Sequence, residues 1–148
     1  MFGFQWHLTD LCNRRCRHCY QNTHEEADPM AGAANRRLAA DAILAAIPNE
    51  PVTINLTGGE PLLRKDAFRA ILTALERLEA PPALTLVTNG SLLDDPVVAR
   101  LASYPARVKI HVSLHAGNPE TFAIVTQKPA VEFARVIEGI QRAVAAGL

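Results

Sequence analysis

The chain has few cysteines, no net charge and no long apolar run, and each of these limits the class of protein it can be. Cysteine occurs three times in 148 residues, and all three lie between residues 12 and 19. Lys and Arg number 15, as do Asp and Glu, so the formal net charge is +0 and gives no attraction to nucleic acid or to a membrane surface. No apolar run approaches the roughly 18 residues of a membrane-spanning helix, and the N-terminus lacks the pattern of a signal peptide. We expect a cytoplasmic protein with neither a nucleic-acid nor a membrane partner.

The cysteines lie together in the stretch DLCNRRCRHCYQ, residues 10–21. In a reducing compartment, clustered cysteines are more often metal ligands or catalytic groups than disulfides. Three thiols are one fewer than a closed tetrahedral zinc site needs. The stretch therefore predicts either a metal centre with an open position or a zinc site completed by His7, His18 or His24.

Apolar strand patterns alternate with helical patterns along the chain. Strands are predicted at 1–8, 52–56, 83–88 and 108–114, and helices at 35–47, 66–78, 94–102, 118–125 and 131–147. Asp95 is predicted to cap one helix with Pro96 as its first residue, Asn118 to cap the next, and Gly147 to end the last. This order predicts an α/β fold with a parallel sheet in one domain, residues 1–148.

The predicted strands are not continuously apolar, as strands covered on both faces usually are. Apolar and polar residues alternate along residues 52–57 and 108–115, which places them on opposite faces. A polar inner face is expected of a wide, open barrel around a wet substrate chamber. A sheet with one solvated face is the alternative.

An unusual segment follows each predicted strand. These segments are the cysteine loop, TGGEP at 57–61, TNG at 88–90 and SLHAGN at 113–118. Function in α/β folds collects at the carboxyl ends of parallel strands. We therefore expect the four segments to form one site.

The spacing C-x3-C-x2-C with a following aromatic, and then GGEP after the next strand, resembles the radical S-adenosylmethionine (SAM) superfamily. The resemblance implies a [4Fe–4S] cluster held by three cysteines, with a fourth iron left open for the amino and carboxylate groups of SAM. An electron from the cluster would cleave SAM, and the 5′-deoxyadenosyl radical would abstract hydrogen from substrate. The resemblance also implies a partial TIM-type (β/α)6 barrel, of which this chain holds about the first four units, the N-terminal part of the core domain.

The resemblance further implies roles for individual residues. The catalytic cluster ligands would be Cys12, Cys16 and Cys19. The cofactor-binding positions would be Tyr20, Gly58, Gly59, Glu60, Pro61, Thr88, Asn89, Ser113 and His115. Two glycines suit a turn whose backbone must approach a ligand with no Cβ in the way. His115 stands where many relatives have Asp.

Within the family, the cysteine motif followed by TNG looks most like peptide maturases of the SPASM type, which implies a ribosomal peptide or protein as substrate. A cofactor-biosynthesis enzyme acting on a small haem or molybdopterin precursor is the alternative. A non-catalytic zinc or Fe–S module is a reading from another class, against which GGEP argues. A hydrolase finds no support, because no G-x-S-x-G is present.

The expected partner besides the substrate is an electron donor of the flavodoxin or ferredoxin type. Basic residues at 14, 15, 17 and 18 lie among the cysteines. They are interpreted either as a solvated loop or as a surface patch that docks an acidic donor.

Overall fold

The structure is a computed structural model that describes residues 2–21, 41, 42, 45 and 52–148. The helix predicted over 35–47 lies largely outside the described residues, and the three of its positions that are described are helical. His24, one of the candidate zinc ligands, also lies outside them.

The described segments form strands and helices in alternation. The strands are β1 (Phe2–His7), β2 (Val52–Thr57), β3 (Ala83–Thr88) and β4 (Val108–Val112). The helices are α1 (Lys65–Leu75), α2 (Asp95–Ala102), α3 (Pro119–Thr126) and α4 (Val131–Ala145), and a 3-10 turn, Pro61–Arg64, precedes α1. Within these residues no helix is both long enough and apolar enough to cross a membrane.

The four strands form one parallel sheet in the order β1-β2-β3-β4. Their register places Trp6, Leu56, Leu86 and Ile110 in a row across the sheet. The predicted α/β class with a parallel sheet is therefore confirmed. Because all strands run the same way, their carboxyl ends and the segments that follow them share one edge of the sheet.

The core lies between one face of the sheet and the helices. In β2, residues 52, 54 and 56 are buried and residues 53, 55 and 57 are half-buried, as the alternation predicts. Lys109 and His111 of β4 are exposed, so this strand too has a polar face. Apolar residues at helical spacing predict a stripe of Phe68, Ile71, Leu72, Leu75 and Leu78 on the helix over 66–78. The first four are buried in α1, whereas Leu78 lies past its end and is partly buried. The chamber beside the polar face stays a prediction.

The start of α2 differs from the prediction by one residue. Asp94, not Asp95, is the N-cap: its backbone is extended, and Val97 N donates to its Oδ1 at 3.0 Å. Asp95 is already helical, with Pro96 after it. The other two predictions hold, because Asn118 accepts from Thr121 N at 2.9 Å and Gly147, with φ +80°, follows α4.

We expect Asp94→Ala to lower the free energy of unfolding by about 1 kcal/mol, because it removes the cap acceptor of α2. The Lys65 ammonium hydrogen-bonds the Asp94 carboxylate and lowers its pKa. A lowered folded pKa means that the carboxylate stabilises fully above its ordinary pKa of about 4, and that this contribution disappears as pH falls through the lowered value. Urea unfolding at neutral pH and at pH about 3 measures both effects.

Asp95→Ala is the matched control. The Asp95 side chain is 87% exposed and its carboxylate lies 3.1 Å from Arg142 Nε, a surface pair worth little. Equal losses for the two variants would show that the cap assignment is wrong.

Candidate functional site

The loop that follows β1 lies against the turn that follows β2. Gly59 N donates to Thr9 O at 2.7 Å, and Glu60 N donates to Leu11 O at 2.7 Å. These two backbone bonds continue the strand pairing past the end of the sheet. They hold Cys12, the next residue, beside the glycine turn.

The two glycines of the turn are required by this close approach. Gly58 has φ +138°, a conformation that residues with a side chain rarely adopt, and a Cβ there would lie 2.5 Å from Thr9 O. A Cβ on Gly59 would lie 2.3 Å from Leu11 O. The approach of a ligand to these glycines stays a prediction. In the structure, the group that approaches both glycines is the backbone of the cysteine loop.

The Glu60 side chain connects the ends of β2 and β3. Its carboxylate is 0% exposed and accepts hydrogen bonds from Thr88 Oγ1 at 2.8 Å, Asn89 N at 2.7 Å and Leu62 N at 3.1 Å. Burial raises the pKa of Glu60, while these donors and the Arg14 charge oppose the rise. The Thr88 hydroxyl is itself held in place, because it also accepts from Gly90 N at 3.1 Å.

Asn89 connects β3 to the cysteine loop. Its Nδ2 donates to Asn13 Oδ1 at 2.7 Å and lies 4.0 Å from Cys12 Sγ. Asn13 Nδ2 donates to Ser91 Oγ at 2.9 Å, and Ser91 Oγ donates to Asn89 Oδ1 at 2.7 Å, which closes a ring of side-chain bonds. Sequence reasoning missed Asn13 and Ser91. An amide between two predicted ligands, and a hydroxyl directly after TNG, are the signals that could have indicated them.

The three cysteines are free thiols and each is partly buried. Cys19 N donates to Cys16 O at 3.0 Å, and Arg17 N donates to Val125 O at 2.9 Å, so α3 also holds the loop. Burial raises the pKa of Cys16, Arg14 opposes this rise, and the neighbouring thiols add to it. Three soft thiolate donors suit iron–sulfur clusters and zinc.

The described side chains do not converge on a point that one metal ion could occupy. No group of three or more His, Cys, Asp or Glu side chains in the described ranges is close enough together for that. Of the proposed fourth zinc ligands, His7 Nε2 lies 3.1 Å from Asp10 Oδ1, and the His18 ring packs against His115. The cysteine thiols, by contrast, have the donor chemistry of a cluster, in which each thiolate binds a different iron.

The basic patch is smaller than the sequence suggested. Arg14 is 2% exposed, so it neither forms a solvated loop nor reaches a docking partner. Arg15, Arg17 and His18 are exposed. Arg15 Nη1 donates to the backbone oxygen of Cys12 at 2.7 Å, so part of its function is to brace the loop.

The residues after β4 have fewer contacts with the cysteine loop and with the turn after β2. Ser113 lies just past the end of β4, where its N donates to Thr88 O at 2.9 Å. His115 has φ +67°, and its ring centroid lies 4.4 Å from that of His18 in an edge-to-face arrangement. Partial burial lowers the pKa of His115, and the His18 and Arg14 charges add to this.

The predicted residues therefore separate into two groups. Those brought together by hydrogen bonds or direct sequence neighbourhood are Cys12, Gly58, Gly59, Glu60, Pro61, Thr88 and Asn89, and Ser113 is joined to them by its N–H bond to Thr88 O. Cys16 and Cys19 lie farther along the same loop. Tyr20 is 81% exposed, and Ser113 and His115 lie at the β4 side.

Comparison with known proteins identifies relatives along nearly the whole chain. A GTP 3′,8-cyclase of Rhodopirellula baltica is 34% identical over 144 residues, which are 95% of this chain and 38% of that protein. A GTP 3′,8-cyclase of Rhizobium meliloti is 36% identical over 146 residues, 95% of this chain and 40% of that protein. A probable GTP 3′,8-cyclase of Methanosarcina mazei is 33% identical over 148 residues, 99% and 42% respectively. The chain spans about two fifths of the length of these relatives.

The fold matches a solved structure as well. Native anSMEcpe with bound AdoMet and Cp18Cys peptide superposes with a TM-score of 0.73 over 99% of this chain and 40% of that chain, at 16% identity. At this identity the likeness shows the fold alone. The sequence profile of the radical SAM superfamily matches residues 6–148. Because that match covers nearly the whole chain, the chain belongs to the radical SAM superfamily.

Proposed function

We propose that the chain is the N-terminal part of a radical SAM enzyme of cofactor biosynthesis, and that its substrate is GTP, cyclised between C3′ and C8. The observation that carries this proposal is the 33–36% identity to GTP 3′,8-cyclases of bacteria and of an archaeon over 95–99% of the chain. A molybdopterin-precursor enzyme was the alternative in the sequence analysis. The relatives support that alternative better than peptide maturation.

Peptide maturation keeps weaker support. The solved structure with a bound peptide shares 16% identity with this chain, so its peptide says nothing about the substrate here. The TNG segment, which suggested the peptide branch, has a structural explanation in this chain. Thr88 and Asn89 bind Glu60 and the cysteine loop. An enzyme of this family would need these contacts whatever its substrate.

The residues present suit the cofactors that the family uses, a [4Fe–4S] cluster and SAM. Cys12, Cys16 and Cys19 would hold the cluster, since they are free thiols on one short loop. The turn Gly58–Gly59 would bind the methionine part of SAM. When bound, the two cofactors supply radical chemistry that removes a hydrogen atom from the substrate.

The backbone of the turn is better placed than the Glu60 side chain to contact SAM. The carboxylate of Glu60 already accepts three hydrogen bonds and is fully buried. The N–H groups of Gly59 and Glu60 are used by the loop after β1. An ammonium group needs acceptors, and the turn offers its carbonyl oxygens. Glu60 acts through this turn, as the brace that fixes its position.

The proposed reaction can be tested with the full-length protein, purified anaerobically and reconstituted with iron and sulfide. With SAM, dithionite and GTP, we expect 5′-deoxyadenosine together with a GTP-derived product that carries a new C3′–C8 bond. Mass spectrometry and NMR identify both. The triple variant of Cys12, Cys16 and Cys19 to Ala should show less than a hundredth of the wild-type turnover, because no cluster can be held.

The outcomes separate the competing functions. One bound zinc ion and no deoxyadenosine would support the non-catalytic metal module. Deoxyadenosine with unchanged GTP, and modification of a peptide encoded beside the gene, would support peptide maturation. ATP in place of GTP is the substrate control and should remain uncyclised.

The proposed brace makes a separate prediction about stability. Glu60→Gln is nearly the same size but replaces one carboxylate oxygen with an amide N–H₂. In either orientation this N–H₂ faces a backbone N–H, of Leu62 or of Asn89, so at least one buried donor loses its acceptor. We expect the cofactor-free protein to lose about 1–3 kcal/mol of unfolding free energy. Urea unfolding without cluster or SAM measures this directly.

Glu76→Gln is the matched control for that substitution. Glu76 pairs with Arg100 through two bonds of 2.6 and 2.8 Å on a partly exposed surface, so its loss should cost less than about 1 kcal/mol. If Glu60→Gln left the cofactor-free stability unchanged and only weakened SAM binding, Glu60 would be a ligand contact and the brace would be refuted.

A further inference from the structure

Arg14 carries a buried guanidinium that hydrogen bonds do not satisfy. The residue is 2% exposed, and among the described residues neither Nη1 nor Nη2 has a hydrogen-bond partner. Buried arginines normally have several partners, because an unpaired charge away from water is strongly unfavourable. A buried arginine without such partners is expected where its positive charge stabilises negative charge on a neighbouring group.

One aromatic neighbour of Arg14 offsets part of the free-energy cost of burying its charge. Its Cζ lies 4.9 Å from the ring centroid of Phe122 in α3, a residue that is fully buried. Phe122 in turn packs edge-to-face on Phe133 of α4, with ring centroids 5.6 Å apart. A ring face attracts a cation but is not a hydrogen-bond acceptor of ordinary strength, so it holds the guanidinium in place and leaves Nη1 and Nη2 without a hydrogen bond.

Several groups near Arg14 can carry negative charge. They are Cys16, Glu60, Cys12 and Glu132. Glu60 already has three other donors. The free thiols of Cys12 and Cys16 flank Arg14 in sequence, and cysteines bind metal as thiolates. A guanidinium whose Nη1 and Nη2 make no hydrogen bond therefore lies next to the place where further negative charge would accumulate.

We propose that Arg14 is a positioning charge that raises the reduction potential of the cluster held by Cys12, Cys16 and Cys19. This inference rests on the proposed assignment of these cysteines as cluster ligands. Reduction adds one electron, supplied by a low-potential donor of the flavodoxin or ferredoxin type, and so adds one unit of negative charge without a proton. A positive charge fixed nearby favours the reduced form, and burial protects its field from screening by salt.

Three substitutions at Arg14 separate its charge from its packing. Arg14→Lys keeps the charge, Arg14→Gln removes it but stays polar, and Arg14→Met removes it with an apolar chain of similar length. Neither Nη1 nor Nη2 has a hydrogen-bond partner among the described residues that the apolar substitution would leave unsatisfied. We therefore expect Arg14→Met to fold and to retain the cluster.

The measurement is the midpoint potential of the reconstituted cluster in the full chain, from an anaerobic redox titration followed by EPR. Arg14→Gln and Arg14→Met should lower the equilibrium constant for reduction at least tenfold, which is a shift of about 59 mV to lower potential for one electron. Arg14→Lys should stay closer to the wild type. Iron content and circular dichroism show whether each variant holds its cluster and fold.

Arg17→Gln is the control for charge without burial. Arg17 adjoins Cys16 but its side chain is exposed, so water and salt screen it. We expect its potential shift to be small and to vanish at high salt, whereas the Arg14 shifts should persist.

The result that would overturn the proposal is an Arg14→Met protein with a full cluster and an unchanged potential. Equal shifts of the midpoint potential for Arg17→Gln and Arg14→Met would also overturn it, because the effect of an arginine on the potential would then not depend on its burial. A wild-type protein that binds no cluster would instead defeat the assignment of the cysteines, and with it both proposals. These failures are distinguishable from iron content alone.

Discussion

The buried carboxylate of Glu60 is the interaction on which the arrangement of the site depends. It comes from the turn after β2, and two of its three donors, Thr88 and Asn89, come from the end of β3. A carboxylate buried to 0% exposure is costly unless its oxygens are hydrogen-bonded. Because this one is satisfied by groups from the neighbouring strand, the two strand ends cannot separate without exposing an unpaired charge. The fold thus uses a buried polar group to fix the relative position of two loops.

The cysteine loop takes its position from this connection. Thr9 and Leu11 pair with the backbone of the turn, which requires two glycines there, and Asn89 reaches from β3 to Asn13 and Cys12. Loss of either contact would move the loop relative to the turn. The proposed ligands of the cluster and the proposed binding turn for SAM therefore belong to one hydrogen-bonded unit, which would hold the two cofactors next to each other.

Much of the fold followed from the sequence because it depends on local patterns. Alternation predicted the strands, and the apolar stripe predicted α1. The cap of α2 was assigned one residue late, since Asp94 and Asp95 are both good caps before a proline and only backbone conformation distinguishes them. The brace formed by Glu60 was missed for a different reason. Two of its three donors are 28 and 29 residues away in sequence, and no local pattern encodes such contacts.

The burial of Arg14 could not be predicted from local sequence either. In sequence it is one of three arginines among the cysteines, and nothing local separates it from Arg15 and Arg17. Only the packing of α3 against the loop buries one of them under Phe122 and leaves the other two in water.

The branch of the family was harder to predict from motifs than the family itself, and the site explains why. The motif residues Gly59, Glu60, Thr88 and Asn89 bind one another or the cysteine loop. Their identity is therefore constrained by the cofactor unit and carries little information about the substrate. Residues that select a substrate must lie elsewhere, on the polar face of the sheet or in parts of the protein that contact the substrate from other directions. Similarity along the whole chain, which samples those positions too, is accordingly a better guide to the substrate than any strand-end motif.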